Sequence, residues 1–313
     1  MIYQGRTVKG ELNDLGAPSS VRIHKEEDTP ADDLVVSFPF NQVIEELDQI
    51  SVLLEDQMVF DGIVDEQKVV YGASGAEIFL SARSRAAYLL DNEALPQVYF
   101  KPCLKTIFER HISGYGFSKF IGEQKTFSGE FTVKKGMSEW DVLESFCLLF
   151  LNTAPRITKD NVVDATGKAL MKETAILQNS TEGIPYSEIS MLNKHYSLIS
   201  EVFVRAQKQG NYSVRVCDEE SIKKGIRRKR YLDAVDDPRT PVSVGEKVIE
   251  SGKKDCYSVT AVCPGAFDFE IGQRVLVRGA EGIEEGPYVI SKIKYTLDQA
   301  GEKSEITMHR EEP

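Results

Sequence analysis

The side chains that most often carry chemistry are present in this chain but not gathered. The four histidines, His24, His111, His195 and His309, lie far apart and form no HxxxH or HExxH pattern, the spacing that sets two imidazoles on one helix face around a metal. The five cysteines, Cys103, Cys147, Cys217, Cys256 and Cys263, are odd in number and include no CxxC pair, so neither a zinc site nor a disulfide framework is indicated. There is no GxSxG, no phosphate-binding Walker loop and no GxGxxG; Gly114 and Gly116 stand alone and read as a turn. Carboxylates are abundant, but nothing in their spacing pairs them. Catalytic residues, cofactor and metal are therefore all expected to be none, and the chain is read as non-enzymatic.

The strongest local anomaly is a basic run, Lys223, Lys224, Arg227, Arg228, Lys229 and Arg230, ending at Tyr231. Such a run can be a phosphate-contacting strip, a solvated loop, or a dock for an acidic partner. Net charge is −11, which repels nucleic acid and anionic lipid from the molecule as a whole. Only Tyr231 offers a stacking surface nearby, so no interleaved aromatic platform is expected. Arg227, Arg228, Lys229 and Arg230 remain candidate interaction residues without sequence-specific nucleic-acid recognition. Trp140, the only tryptophan, is the other candidate.

The elements that would hold these residues are mostly strands. The chain has 313 residues, 41% of them apolar, enough for two or three folded units. It lacks a signal-peptide start and any apolar run long enough to span a bilayer, so no membrane partner is expected. The scattered cysteines fit synthesis in a reducing cytoplasm. Residues 34–38, 50–54 and 59–64 read as short strands broken at Pro39, Asp56 and Gly62, with Ser84 as an N-cap beyond them. A helix follows Pro102. Ser138 and Asp141 have capping-box spacing, with Trp140, Leu143, Phe146, Cys147 and Phe150 on one face. Strands return at 199–206 and 212–216, around a turn at Gly210 and Asn211. A helix is expected over 242–256, then strands at 257–262, 273–277, 288–295 and 305–309. Residues 217–240 read as a loop, with a turn at Asp236, Asp237 and Pro238.

The two ends tell the same story twice. An approach over residues 40–47, strand 50–54, strand 58–64 and strand 76–80 after a Gly turn are echoed by 267–271, 273–277, 286–290 and 304–308. A β-module carried twice can place two similar surfaces around an axis. The fold class is thus β-rich α+β and multidomain, with boundaries at 1–92, 93–184 and 185–313.

Residues 131–143, a strand, a Gly turn at Gly136, a capped helix and Trp140, resemble the first half of a LysM peptidoglycan-binding module, within a segment spanning 126–160. The second half, from Asn152 through Pro155 to Asn161, departs from that pattern. The chain as a whole resembles the baseplate hub family of contractile phage tails and phage tail-like bacteriocins, the Mu-type, late-control D-like and Bacillus prophage hubs. Four stretches in order carry this: Asp32–Pro39 with Leu47–Val52 and Phe60–Val64; Phe79–Ser84 ending in Leu89, Leu90 and Asp91; Val133–Leu143; and Phe269–Val275 with Gly286–Ile290. The resemblance implies two small β-barrel tube domains flanking a partly LysM-like α+β unit. It also implies a homotrimer presenting six barrels, which joins a six-fold tail tube protein to a three-fold central spike protein alongside other baseplate proteins. The chain would then reside in a virion tail baseplate or bacteriocin particle. The basic loop could face the lumen or an acidic neighbour. The alternative function is a peptidoglycan-binding accessory acting through the LysM-like segment.

Overall fold

The computed structural model describes residues 1–40, 45–73, 75–170, 172–180, 182–208, 210–235 and 239–311. The approach at 41–44 and the turn at Asp236, Asp237 and Pro238 lie outside the described residues. In chain order the elements are β1 (Ile2–Thr7), β2 (Leu12–Asp14), β3 (Ser20–Glu26), β4 (Asp33–Phe40), β5 (Leu47–Leu54), β6 (Gln57–Gly72), β7 (Gly75–Ser84) and α1 (Ala87–Asp91). A middle stretch holds β8 (Gln97–Phe100), α2 (Leu104–Ile107), β9 (Lys119–Ile121), β10 (Glu130–Val133), α3 (Glu139–Phe146), β11 (Arg156–Ile157), β12 (Val162–Asp164) and β13 (Ala175–Leu177). The last stretch holds β14 (Glu188–Asn193), β15 (Glu201–Arg205), β16 (Val214–Cys217), α4 (Glu219–Lys223), β17 (Lys229–Asp233), α5 (Pro241–Cys256), β18 (Tyr257–Pro264), β19 (Arg274–Val277), β20 (Tyr288–Asp298) and β21 (Gly301–Arg310).

One large sheet joins both ends of the chain. Its first half runs β3-β4-β7-β6-β5-β1 and its second half β14-β18-β21-β20-β19-β13, so each strand has a counterpart at the same place on the path. The correspondence reaches single residues. The β6–β7 hairpin pairs Gly72 with Gly75 and has a register shift between Val64 and Glu66. The β20–β21 hairpin pairs Asp298 with Gly301 and shifts between Ile290 and Lys292. Gly62 therefore takes the place of Tyr288, and Ser84 that of Arg310, with no gap between. Leu80 corresponds to Ile306, two residues away from the side-by-side reading of the sequence. A two-residue slip keeps the same face of a strand inward, so the apolar pattern cannot detect it. The halves differ in the direction of the strand beyond β5 and β19: β1 runs antiparallel to β5, whereas β13 runs parallel to β19.

Each half encloses its own apolar cluster. Leu34, Val36 and Phe38 alternate inward along β4 and meet Ile50, Val52, Ile78 and Leu80, with Tyr3 edge-on to Phe38. Val259, Ala261, Val275, Tyr288, Ile290, Ile306 and Met308 form the second cluster. The path among the described residues is open, ending at β14 and β2 rather than closing as two barrels. The edge of β3 is taken instead by β20, with Lys292 opposite Glu26 through Leu297 opposite Val21. The bulge at Ser291 makes this possible. Before it β20 pairs with β19, and after it with β3. Tyr295 thereby joins the first cluster from the far end of the chain.

Local expectations fail where a backbone contact overrides a breaker. Strand β6 runs through Gly62 because a Cβ there would lie 2.1 Å from the Arg83 carbonyl oxygen; the glycine admits close strand approach rather than ending the strand. Pro39 sits inside β4, opposite Glu77. Ser84 caps no helix: its hydroxyl accepts from the Asp32 amide, and α1 starts after Ala86. The span read as a loop, 217–240, contains α4 and β17. β15, β16 and β17 form a separate sheet, with Val244 and Ile249 of α5 against Val202 and Val204. This three-stranded unit is inserted between β14 and β18.

His309, on β21, is held neutral. Burial, aided by Lys254, lowers its pKa to about 4. The unfolded chain, with an ordinary imidazole, takes up a proton first as pH falls, so this contribution is complete above about pH 6.5 and lost progressively toward pH 4. Between pH 7 and pH 5 the cost is about 2 kcal/mol. Urea unfolding of His309→Asn should show a correspondingly smaller loss over that interval.

Candidate interaction surfaces

The middle unit is built around α3. Ser138 Oγ accepts from the Asp141 amide at 3.1 Å and Asp141 accepts from the Ser138 amide at 2.8 Å, completing the capping box. The helix buries Phe146 against Phe127, Phe131 and Phe150. Glu139, in its first turn, is 2.6 Å from His111 Nδ1, while His111 Nε2 lies 2.8 Å from the Tyr99 hydroxyl. His111 is 2% exposed, so this histidine–carboxylate pair satisfies buried polar groups of the core.

Trp140 is 5% exposed and belongs to the same core, where it also borders a cleft lined by Lys25, Asp32, Arg156 and Glu270. Strand β10 pairs with the preceding β8, not with a closing strand after the helix. The sheet that follows is β11-β12-β9, so the strand pairing of a LysM module is not completed.

The middle unit is tied to both halves of the large sheet. Asn161 donates to Asp61 on β6 at 3.1 Å. Lys159 and Lys172 converge on Asp268, at 2.7 and 2.8 Å. Burial opposes ionisation of Asp268, but hydrogen bonds from Lys159 and Lys172 outweigh it and hold the carboxyl below its ordinary range.

The basic run is partly consumed by local structure. Arg228 donates to the His195 carbonyl at 2.6 Å, and its own carbonyl accepts from the Ser200 amide and hydroxyl. Lys229 pairs with Glu201 at 2.8 Å. Lys229 and Arg215 together hold the Glu201 carboxyl below its ordinary pKa. Arg227 and Arg230 are exposed. The structure also brings together aromatics that the sequence reading kept apart. Tyr231 stacks on Phe203 at 5.3 Å and meets Tyr212 edge-on at 5.3 Å, with Lys229 over Phe203 and Arg205 over Tyr212. The signal was present in β15: Val202 and Val204 point inward, which turns Phe203 to the outer face.

Among the described residues no His, Cys, Asp and Glu cluster could hold a metal, and no helix is long and apolar enough to cross a membrane. The five cysteines are unpaired thiols.

No protein-family profile and no curated protein sequence matches the chain. Solved structures do. A tail protein from Neisseria meningitidis MC58 superposes with a TM-score of 0.79 at 15% identity, over 99% of this chain and 96% of its own. The 43 kDa tail protein of prophage MuSo2 from Shewanella oneidensis gives 0.77 at 15% identity, over 99% and 98%. The E. coli c3393 protein is a type VI secretion system component described as structurally similar to the T4 tail proteins gp27 and gp5. It gives 0.57 at 8% identity, over 95% and 74%. The chain therefore has the fold of phage tail proteins along nearly its whole length.

Proposed function

We propose that this protein is a structural, non-enzymatic baseplate hub of a phage tail or phage tail-like particle. Three copies would form a ring with six similar β-units, one face seating a six-fold tail tube and the other a three-fold spike. The observation that carries this reading is the duplicated strand order, matched down to the bulges at Asp65 and Ser291. Two units of one plan in one chain give three-fold chemistry and near six-fold shape together, the need of a part lying between those symmetries. The shared tail-protein fold supports the setting. The middle unit, anchored to both halves, would sit outside the ring and contact other baseplate proteins, as would the aromatic and basic face of β15, β16 and β17.

Light scattering of the purified chain should give the mass of three copies, and negative-stain class averages should show a ring with six lobes. Cross-linking in intact particles should join it to tube and spike subunits. A monomer in solution that is also absent from purified particles would sink the reading.

A further inference from the structure

Two strand edges carry no strand among the described residues, and the internal repeat points to a cover for each. β14 pairs only with β18, leaving its other edge without a strand among the described residues. On β6, residues 57–63 pair with β5, but the same edge beyond the bulge takes no strand among the described residues. These are the counterparts of β3 and of the second half of β20. Those two counterparts pair with each other inside the chain.

We propose that β14 of one copy pairs antiparallel with residues 66–71 of β6 in the next copy, repeating between chains the β3–β20 seam within each. This rests on the ring reading above and gives it an interface and a register. The β3–β4 and β14–β18 registers place Val21 with Ile189 and Ile23 with Met191. The hairpins place Tyr295 with Val69 and Leu297 with Tyr71. Carrying the seam across sets Val69 opposite Met191, Tyr71 opposite Ile189 and Glu66 opposite Lys194.

Three independent features fit this pairing. Exposed apolar side chains sit on both edges: Val69 at 38%, Tyr71 at 76%, Met191 at 46% and Leu192 at 52%. In the seam Tyr295, the equivalent of Val69, is 4% exposed, and Leu297, the equivalent of Tyr71, is partly buried, the burial that such edges acquire once paired. Charge is complementary as well. Lys292 and Glu26 form an ion pair in the seam; Glu66 and Lys194 would form the same pair with signs reversed, and neither has an ion-pair partner among the described residues. Finally, a long bare edge with apolar side chains is a template for another strand. Because the two edges are unlike and lie on one chain, their pairing is head-to-tail, the type of contact that builds closed rings.

The test is a chain carrying both Val69→Cys and Met191→Cys. Residues directly opposite in an antiparallel pair have Cβ atoms about 4.5–5.5 Å apart, near disulfide reach. Mild oxidation should give a covalently closed trimer on a non-reducing gel that returns to monomer on reduction. The parent chain, each single variant and the off-register pair Glu66→Cys with Ile189→Cys should not link. A trimer by light scattering with no link in the on-register pair would overturn the pairing and leave the ring standing. Linked ladders longer than three would support the pairing and overturn closure; an unlinked monomer would overturn both. As a second check, Glu66→Lys should raise the concentration needed for assembly on the order of tenfold, since like charges placed opposite one another repel. Adding Lys194→Glu should restore it, and failure of that rescue would overturn the register.

Discussion

Phe146→Ala should destabilise the protein by roughly 3–5 kcal/mol, the usual range for emptying a buried phenylalanine site. Phe146 is fully buried, with ring centroids of Phe131 and Phe150 at 5.8 and 5.1 Å and Phe127 at 6.1 Å. Edge-on and tilted ring pairs add to what area alone contributes. The four rings come from α3, from β10 and from the segments flanking them, so collapse around the void would have to move several elements at once. Denaturant unfolding followed by far-ultraviolet circular dichroism measures this directly. A loss under about 1 kcal/mol would mean that the site refills, against the packing argument for the middle unit.

Gly62→Val comes next in size and acts on the backbone. Even a Cβ would lie 2.1 Å from the Arg83 carbonyl oxygen and 2.9 Å from the Phe60 ring. A main-chain oxygen in a paired strand cannot swing aside as a flexible side-chain end can. β6 and β7 would have to part around Gly62, which pairs with Ser84. Overpacking of this kind typically costs about 1–3 kcal/mol, and here lost pairing between two strands adds to it. Tyr288 fills the equivalent place in the second half and is fully buried, so a side chain is accommodated there where the first half admits none. Thermal unfolding of Gly62→Val beside Gly62→Ala should show a large fall for both and a larger one for valine. Equal, small shifts would mean the strands are not in contact as described.

How much of this was legible depended on whether the signal was local. The Ser138–Asp141 capping box and the helix over 242–256 were readable because each is written within a few residues, the second beginning with Thr240 accepting from the Ser243 amide. The three-strand meanders at each end were readable from alternation. β1 and β3 went unread because their buried positions include Gly5, Thr7 and Lys25, so residues 2–7 and 20–26 carry a weaker apolar rhythm. The break expected at Gly62 was wrong because the reason for that glycine lies on β7, over twenty residues away. The aromatic face was missed for a similar reason: Phe203 and Tyr231 sit on different strands, Tyr212 lies in the segment before β16, and only the β15–β17 pairing places Phe203 opposite Tyr231. The sequence also held the duplication, but not that β3 and β20 would join its halves.

That joint has a consequence for how the chain is made. β3 leaves the ribosome long before β20, and at about 5–20 residues per second the interval between residues 21 and 297 is on the order of 15–55 s. Throughout it, the nascent chain displays a strand edge whose partner has not been synthesised, while the locally connected middle unit is free to fold. Late, long-range closure of this kind makes for slow folding and gives passing chains time to pair wrongly. Refolding from denaturant should accordingly show a fast phase reported by Trp140 in the middle unit and a slower one in which the first and last strands meet.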